Sequence, residues 1–405
     1  MLKQLQVLNK WHGMSTTCSS FSSCGRYLIS SSLDTTAVVY TRDENGDWDR
    51  IHTIPHQGWV GGCAFSPLEG ETFFLTACDY GYLSLGRITS RSRAEGDWCG
   101  EVPPVQVEVR DELIEVDADT SDFLTVAITP DGQQVAASLR EGAVHIWAIQ
   151  RRGKSKYDDV GEGERAEGER ESWPEFEHLQ VCESAHLNCM SGVAFSPSSR
   201  WMATSLPSSQ PDTAQNIALW RWDDDGAGEK SIGTWVQEET IERGCASGQL
   251  VFGSIEKGRC DSVWLAAASE KGVVEVWAGR EKGEKLIIST FQTLQCHDDG
   301  ALVAAVALLP LSKGGTLLFT GGGLDGYVKV WMSQRSGGGD NPLPFVHLQT
   351  VVAGKITGIA SLSLSKSGHL LAATPLSSLV LWECDEDYAV PVQVHDNRGS
   401  HQREM

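Results

Sequence analysis

The sequence predicts an all-β chain that closes seven four-stranded antiparallel blades into one ring, as a single domain. Three observations predict it. Short apolar strands ending in an aromatic recur: TTAVVY ends at Tyr40, GAVHIW at Trp147, NIALW at Trp220, GVVEVW at Trp277, GYVKVW at Trp331 and SSLVLW at Trp382. A second phrase recurs upstream, an alternating strand closing on a turn, with apolar anchors at Phe21, Phe65, Ile128, Phe195, Phe252, Leu308 and Leu364. From Trp147 onward the ends lie 51 to 73 residues apart, room for a four-stranded unit of about 40–45 residues and its loops.

Each unit reads as a meander. An alternating strand runs into a turn such as SPLEG, TPDGQ or SPSSR, which reverses it. A second strand follows (YLIS, VAASL, LLFTG), then a Gly-bearing turn, then the strand ending in the aromatic. One such sheet has two apolar faces and buries neither alone. Radial stacking buries both and leaves short, protected edges. Seven units take about 300 residues, so the 405 residues make one seven-bladed β-propeller over 1–394 rather than two or three domains. The repeats fall near 10–40, 54–88, 111–147, 179–220, 240–277, 290–331 and 346–382. The fifth, GQLVFGSIEKG around Phe252, is the least regular.

Two segments compete to close the ring. MLKQLQVLNK precedes His12 as WDRIHTI precedes His56, and so reads as the outermost strand of the last blade. YAVPVQV (388–394) fits the same slot. The N-terminal segment is favoured, because a blade that mixes both ends of the chain locks the ring. Residues 151–178 read as an acidic disordered insertion, with nine acidic and two basic residues from Asp158 to Glu177. LPSSQPDTAQN lengthens a turn of blade 4, SQRSGGGDNPLP connects blades 6 and 7, and 395–405 read as a flexible tail.

Charge narrows the function. With 33 Lys and Arg against 54 Asp and Glu, the net charge is −21, which argues against direct binding to nucleic acid or anionic lipid. No run approaches the roughly 18 apolar residues of a membrane span, and the start lacks the apolar core of a secretory signal. Eleven cysteines, an odd number with no C-x-x-C pair, read as reduced, buried thiols of a cytoplasmic or nuclear protein.

These repeats resemble the WD-repeat β-propellers. The resemblance implies a hydrogen-bonded tetrad inside a blade: a His before the inner strand, a Ser or Thr in the second, an Asp in the next turn and a Trp ending the third. His12, Ser30 and Asp34 fit, with Tyr40 in place of Trp. His297, Thr320, Asp325 and Trp331 nearly fit, with one extra Gly displacing the Thr. His56 and His186 occupy the same His position. Elsewhere the pattern decays: Glu141, Lys271 and Leu376 stand where Asp is expected, Asp79 comes one place early, and Gly86 stands where Trp is expected. The resemblance covers about 10–385.

Candidate chemistry is sparse. There is no G-x-S-x-G, H-E-x-x-H or Walker loop. GGGLDG precedes a strand rather than a helix and reads as a turn. No catalytic residue, metal site, cofactor or small-molecule substrate is expected. Gln150-Arg151-Arg152-Gly153 resembles the Arg-Arg-Gly signature of phosphoinositide-binding propellers, yet an acidic run follows within six residues. Val276-Trp277-Ala278-Gly279-Arg280 resembles the Trp-Asp-x-Arg element of propellers that are receptors of cullin ubiquitin ligases, with Ala for the Asp; Arg335 lies one place late after Trp331. Trp59 follows His56 in a loop that, by the resemblance, surrounds the central channel; Trp11 sits similarly before His12. There an exposed Trp is a candidate interface anchor, against packing between blades.

The reading is a non-catalytic scaffold for protein partners, a subunit of a larger intracellular complex, with Trp59, Arg280 and Arg335 as candidate partner-binding residues. In scale it is similar to the small nuclear-pore, vesicle-coat and cytosolic iron–sulfur targeting propellers. Alternatives are a substrate receptor of a cullin-type ubiquitin ligase and a propeller enzyme such as the diphthamide-pathway esterase.

Overall fold

The structure, a computed structural model, describes residues 1–384 apart from 10, 80, 91–104, 116–122, 140–141, 152–172, 184–191, 206–214, 225–232, 244–246, 270, 299–301, 335–341, 355–357 and 376. It is all-β, with seven four-stranded antiparallel sheets in a ring, a seven-bladed β-propeller. Of the insertion read as disordered over 151–178, residues 152–172 lie outside the described residues, whereas 175–178 belong to the strand Glu175–Glu183; the segment 388–394 and the tail 395–405 also lie outside the described residues.

From the axis outward, blade 1 is Thr16–Phe21, Tyr27–Ser32, Thr36–Arg42 and Trp48–Pro55. Blade 2 is Val60–Phe65, Phe73–Cys78, Tyr82–Ser90 and Val105–Glu115; blade 3 is Phe123–Ile128, Gln134–Leu139, Ala143–Gln150 and Glu175–Glu183. Blade 4 is Gly192–Phe195, Trp201–Ser205, Gln215–Asp223 and Thr234–Arg243; blade 5 is Ser247–Ser254, Ser262–Ser269, Val273–Lys282 and Lys285–Gln295. Blade 6 is Val303–Pro310, Thr316–Gly322, Tyr327–Ser333 and Val346–Val352. Blade 7 is Ile359–Leu364, Leu370–Pro375 and Leu379–Cys384, completed by Leu2–Leu8 as its outer strand. The N-terminal strand therefore closes the ring, pairing antiparallel with Leu379–Cys384. Neighbouring inner strands pack on one another around the axis, the first on the seventh included.

All seven apolar anchors lie on inner strands. Second strands such as Tyr27–Ser32, Phe73–Cys78 and Ser262–Ser269 are buried along their whole length, because a neighbouring blade covers each face. The third and outer strands shift register in all seven blades. In six the shift falls beside the terminal aromatic, where a bulge takes up the bulk of the ring. Blade 2 solves the same packing problem differently. A Cβ on Gly86 would lie 2.0 Å from the Phe74 ring, so Phe74, on the adjacent strand, fills the space that a terminal Trp fills elsewhere.

A side-chain joint that the sequence did not announce follows the bulge. Gln6 accepts from the Trp48 N–H (2.8 Å) and donates to the Trp48 carbonyl (3.0 Å), fastening blade 7 to blade 1. Gln180 does the same at Trp235 (2.7 and 2.9 Å), Gln292 at Phe345 (2.7 and 3.2 Å) and Gln349 at Leu2 (2.9 and 3.3 Å). A planar amide offers one acceptor and one donor side by side, which matches one residue's N–H and C=O. Each clasp pins the beginning of the next blade's outer strand.

Candidate functional site

Antiparallel strands put the loops into two sets. Loops that lead into inner strands share one face, here the upper, with the turns between second and third strands. The remaining turns form the lower face.

On the upper face the first tetrad assembles from the loop into blade 1, the turn at Asp34 and the second and third strands of the blade. His12 Nε2 lies 2.7 Å from Ser30 Oγ, and Ser30 Oγ lies 3.3 Å from the Tyr40 hydroxyl. His12 Nδ1 lies 3.3 Å from Asp34, whose carboxylate also takes the Gly13 N–H at 2.6 Å. In blade 6 the Trp331 indole N–H donates to Thr320 Oγ1 (3.2 Å), which lies 3.2 Å from His297 Nε2; His297 Nδ1 lies 2.6 Å from Asp325. An indole only donates. The Asp325 carboxylate only accepts, so the neutral His297 ring donates from Nδ1 to it and Nε2 accepts from the Thr320 hydroxyl. The extra glycine does not displace Thr320: it pairs with Lys329, two residues before Trp331, as Ser30 pairs with Val38, two before Tyr40. The added residue is absorbed in the turn. Blades 2 and 4 keep fragments, His56 Nε2 to Thr76 (3.4 Å) and Trp220 to Thr204 (3.0 Å); His186, Glu141 and Leu376 lie outside the described residues.

Burial pulls His12 and His297 below the usual histidine value, against the opposing pull of Asp34 and Asp325. Burial, helped by His178, takes His145 to about 4. These histidines stay neutral when folded but protonate below about 6.5 when unfolded. Their stabilisation is complete above that value and is lost as pH falls towards the folded values, because the unfolded chain then binds more protons. Melting temperature should therefore drop between pH 7 and pH 4.5, and His145→Gln should flatten part of that drop. Thermal melts across that range check it; identical slopes for the two proteins would refute the assignment to His145.

Trp59 is 49% exposed on the upper face, with its carbonyl fixed by the Asp79 N–H at 2.9 Å. Met14, in the loop into blade 1, and Leu324, in a blade 6 turn, are 51% and 70% exposed. Tyr327 and Val352, paired across blade 6, are exposed at the same end. Trp11 is exposed at the rim, with the Arg50 guanidinium 4.2 Å from its ring centroid. These exposed apolar side chains thus lie at the upper end of blade 6 and in the loops into blades 1 and 2. Their signal in the sequence was only the two tryptophans; the others come together through the ring.

Arg280 is exposed near the lower end of its strand, paired with Ser262 and Ile287, and so lies at the opposite end of the ring from Trp59. Arg335 lies outside the described residues. Arg151, from the Arg-Arg-Gly phrase, is bound by Glu71 of blade 2 through two hydrogen bonds of 2.5 and 3.1 Å, which engages its guanidinium in a joint between blades. The expectation of buried thiols needs correction. Cys24 and Cys260 are exposed, because both sit in lower-face turns rather than in strands. Among the described residues no group of three or more His, Cys, Asp or Glu is placed to hold a metal ion, and no helix is long and apolar enough to cross a membrane.

Comparison with known proteins agrees with this geometry. Residues 3–41 and 288–332 match the family model "WD domain, G-beta repeat". These two segments contain the two complete tetrads. The chain is also similar to WD repeat, SAM and U-box domain-containing protein 1 of Danio rerio, 35% identical over 81 residues. That match spans 20% of this chain and 16% of the relative.

Proposed function

We infer from the WD repeats that this chain carries, and from the ring that they close, that it is a protein-interaction scaffold. WD40 propellers typically mediate protein–protein contacts and are generally non-catalytic. More specifically, we propose that it is a non-catalytic subunit of a larger complex in the cytoplasm or nucleus. We further propose that the upper face, around Trp59, receives the partner. The supporting observation is the exposure of Met14, Trp59 and Leu324, all in upper-face loops of an acidic molecule. Large exposed apolar side chains gathered on one surface mark interaction sites, and buried Trp side chains dominate binding energy.

The test is affinity purification from native extract with quantitative mass spectrometry. Wild type should recover a defined set of proteins in stoichiometric amounts. Trp59→Ala should weaken the upper-face partner about thirty-fold, the equivalent of roughly 2 kcal/mol for an interface hot spot. Arg280→Ala, at the other end, should leave that partner in place. Loss of a ubiquitin-ligase partner with Arg280→Ala would favour the receptor reading instead. Recovery of the chain alone at every salt concentration would count against a stable scaffold and direct attention to activity in the central channel.

A further inference from the structure

Two cysteines lie on adjoining inner strands at the joint between blades 1 and 2. Cys18 is on the inner strand of blade 1 and Cys63 on the inner strand of blade 2. Cys18 Sγ lies 3.6 Å from the Cys63 carbonyl and 4.0 Å from Ser361 Oγ of blade 7. Cys63 Sγ lies 3.8 Å from the Ile29 carbonyl. The two strands are fastened on both sides of the pair. Above it, the Thr17 hydroxyl donates to the Val60 carbonyl at 2.6 Å; below it, the Phe65 N–H donates to Ser20 Oγ at 3.0 Å. Cys18 is half-buried and Cys63 is buried.

We propose that Cys18 and Cys63 form a redox-active dithiol, a site of oxidative modification by hydroperoxides that closes to a disulfide between blades 1 and 2. The environment divides the roles. Cys18, half-buried, is the thiol that an oxidant reaches, and the pull of neighbouring Cys63 below the usual thiol value favours its nucleophilic thiolate form. Burial, with the Cys18 sulfur beside it, pushes Cys63 well up and keeps it a thiol.

The chemistry balances with hydrogen peroxide as oxidant. The Cys18 thiolate attacks one peroxide oxygen, the O–O bond breaks, and hydroxide leaves and takes a proton to become water. Cys18 is then a sulfenic acid. Cys63 attacks the Cys18 sulfur as it gives up its proton; the S–S bond forms, the S–O bond breaks and a second water leaves. Two thiols have lost two electrons to one peroxide, and a thiol reductant reverses the step by exchange.

The experiment is peroxide treatment of the folded full chain at pH 7.5, followed by alkylation and non-reducing peptide mapping. A Cys24→Ser background is used because Cys24 shares a tryptic peptide with Cys18; fragmentation separates Cys63 from Cys78. The expected result is a Cys18–Cys63 cross-linked peptide as the main product, reversed by dithiothreitol, while exposed Cys260 remains alkylatable at the same dose. In a Cys63→Ser variant a dimedone probe should label Cys18 at least five-fold more than in wild type, since the resolving thiol is gone. The wild-type mapping stands alone if that variant does not fold. Oxidation of Cys260 ahead of Cys18, or passage of Cys18 to sulfinic acid without the cross-link, overturns the proposal.

Discussion

Deleting residues 1–8 should abolish the cooperative native state or lower its melting temperature by more than 10 °C. The strand Leu2–Leu8 is the only part of blade 7 that comes from the other end of the chain. It buries Leu2 and Leu8, each contributing about 1.5–3 kcal/mol. It also carries two clasps, Gln6 to Trp48 and Gln349 to Leu2, so its removal breaks the outer joints to both neighbouring blades. Each hydrogen bond lost, ladder or clasp, adds about 0.5–1.5 kcal/mol. The total approaches the 5–15 kcal/mol that is typical of a whole domain. The deletion also bares Leu379–Cys384, with its Trp382, as an open apolar edge prone to pairing with other chains. Circular dichroism melts and light scattering check this, and adding the peptide 1–9 in trans should recover part of the loss. A truncated chain that melts within 2 °C of wild type would show that blade 7 stands on three strands.

The second large effect is Trp264→Ala, expected to cost about 3–5 kcal/mol. Trp264 is wholly buried on the second strand of blade 5. Its ring lies 4.8 Å from that of Phe291 and 5.2 Å from that of Phe345, so three aromatics fill the seam between blades 5 and 6. Its indole N–H donates to Thr316 Oγ1 of blade 6 at 3.0 Å. Phe345 is itself held by the Gln292 clasp, which couples the aromatic seam to the outer joint. Alanine leaves a cavity that the rigid clasped strands close only in part. Trp264→Phe keeps most of the ring and loses the hydrogen bond, and should cost about 1–2 kcal/mol. Urea unfolding measures both. A loss under 1 kcal/mol for the alanine variant would mean that the seam repacks freely.

Much of this fold was legible because each blade repeats the same solution. A strand ending in an aromatic, a turn with Ser-Pro or Asp-Gly, and an apolar anchor on each inner strand were enough to count seven blades. The phrase LKQLQVL was enough to favour the N-terminal strand for closure. What escaped depends on neighbours in space. Trp264 gave no signal because it lies within a strand rather than at its end. Gly86 looked like a gap until Phe74 was found in it. The clasps did leave a trace, Leu5-Gln6, Leu179-Gln180, Phe291-Gln292 and Leu348-Gln349, yet a glutamine in an exposed strand carries no signal of its own. The candidate face was half legible. Trp11 and Trp59 stood out, whereas Leu324 and Tyr327, from blade 6, come to the same face only through ring closure, and that Trp59 and Arg280 lie at opposite ends follows from strand direction.

The closing strand also sets a clock. Leu2–Leu8 leaves the ribosome before the other strands of the ring, and its partner Leu379–Cys384 follows after all of them. At about 5–20 residues per second, the first strand waits on the order of tens of seconds with its ladder groups unpaired. Blades 1 to 6 can each form as they emerge, so during synthesis the molecule is an open arc whose two ends search for each other. That interval is when a chaperone, or a second nascent copy offering the same Leu379–Cys384 edge, competes most strongly for the strand.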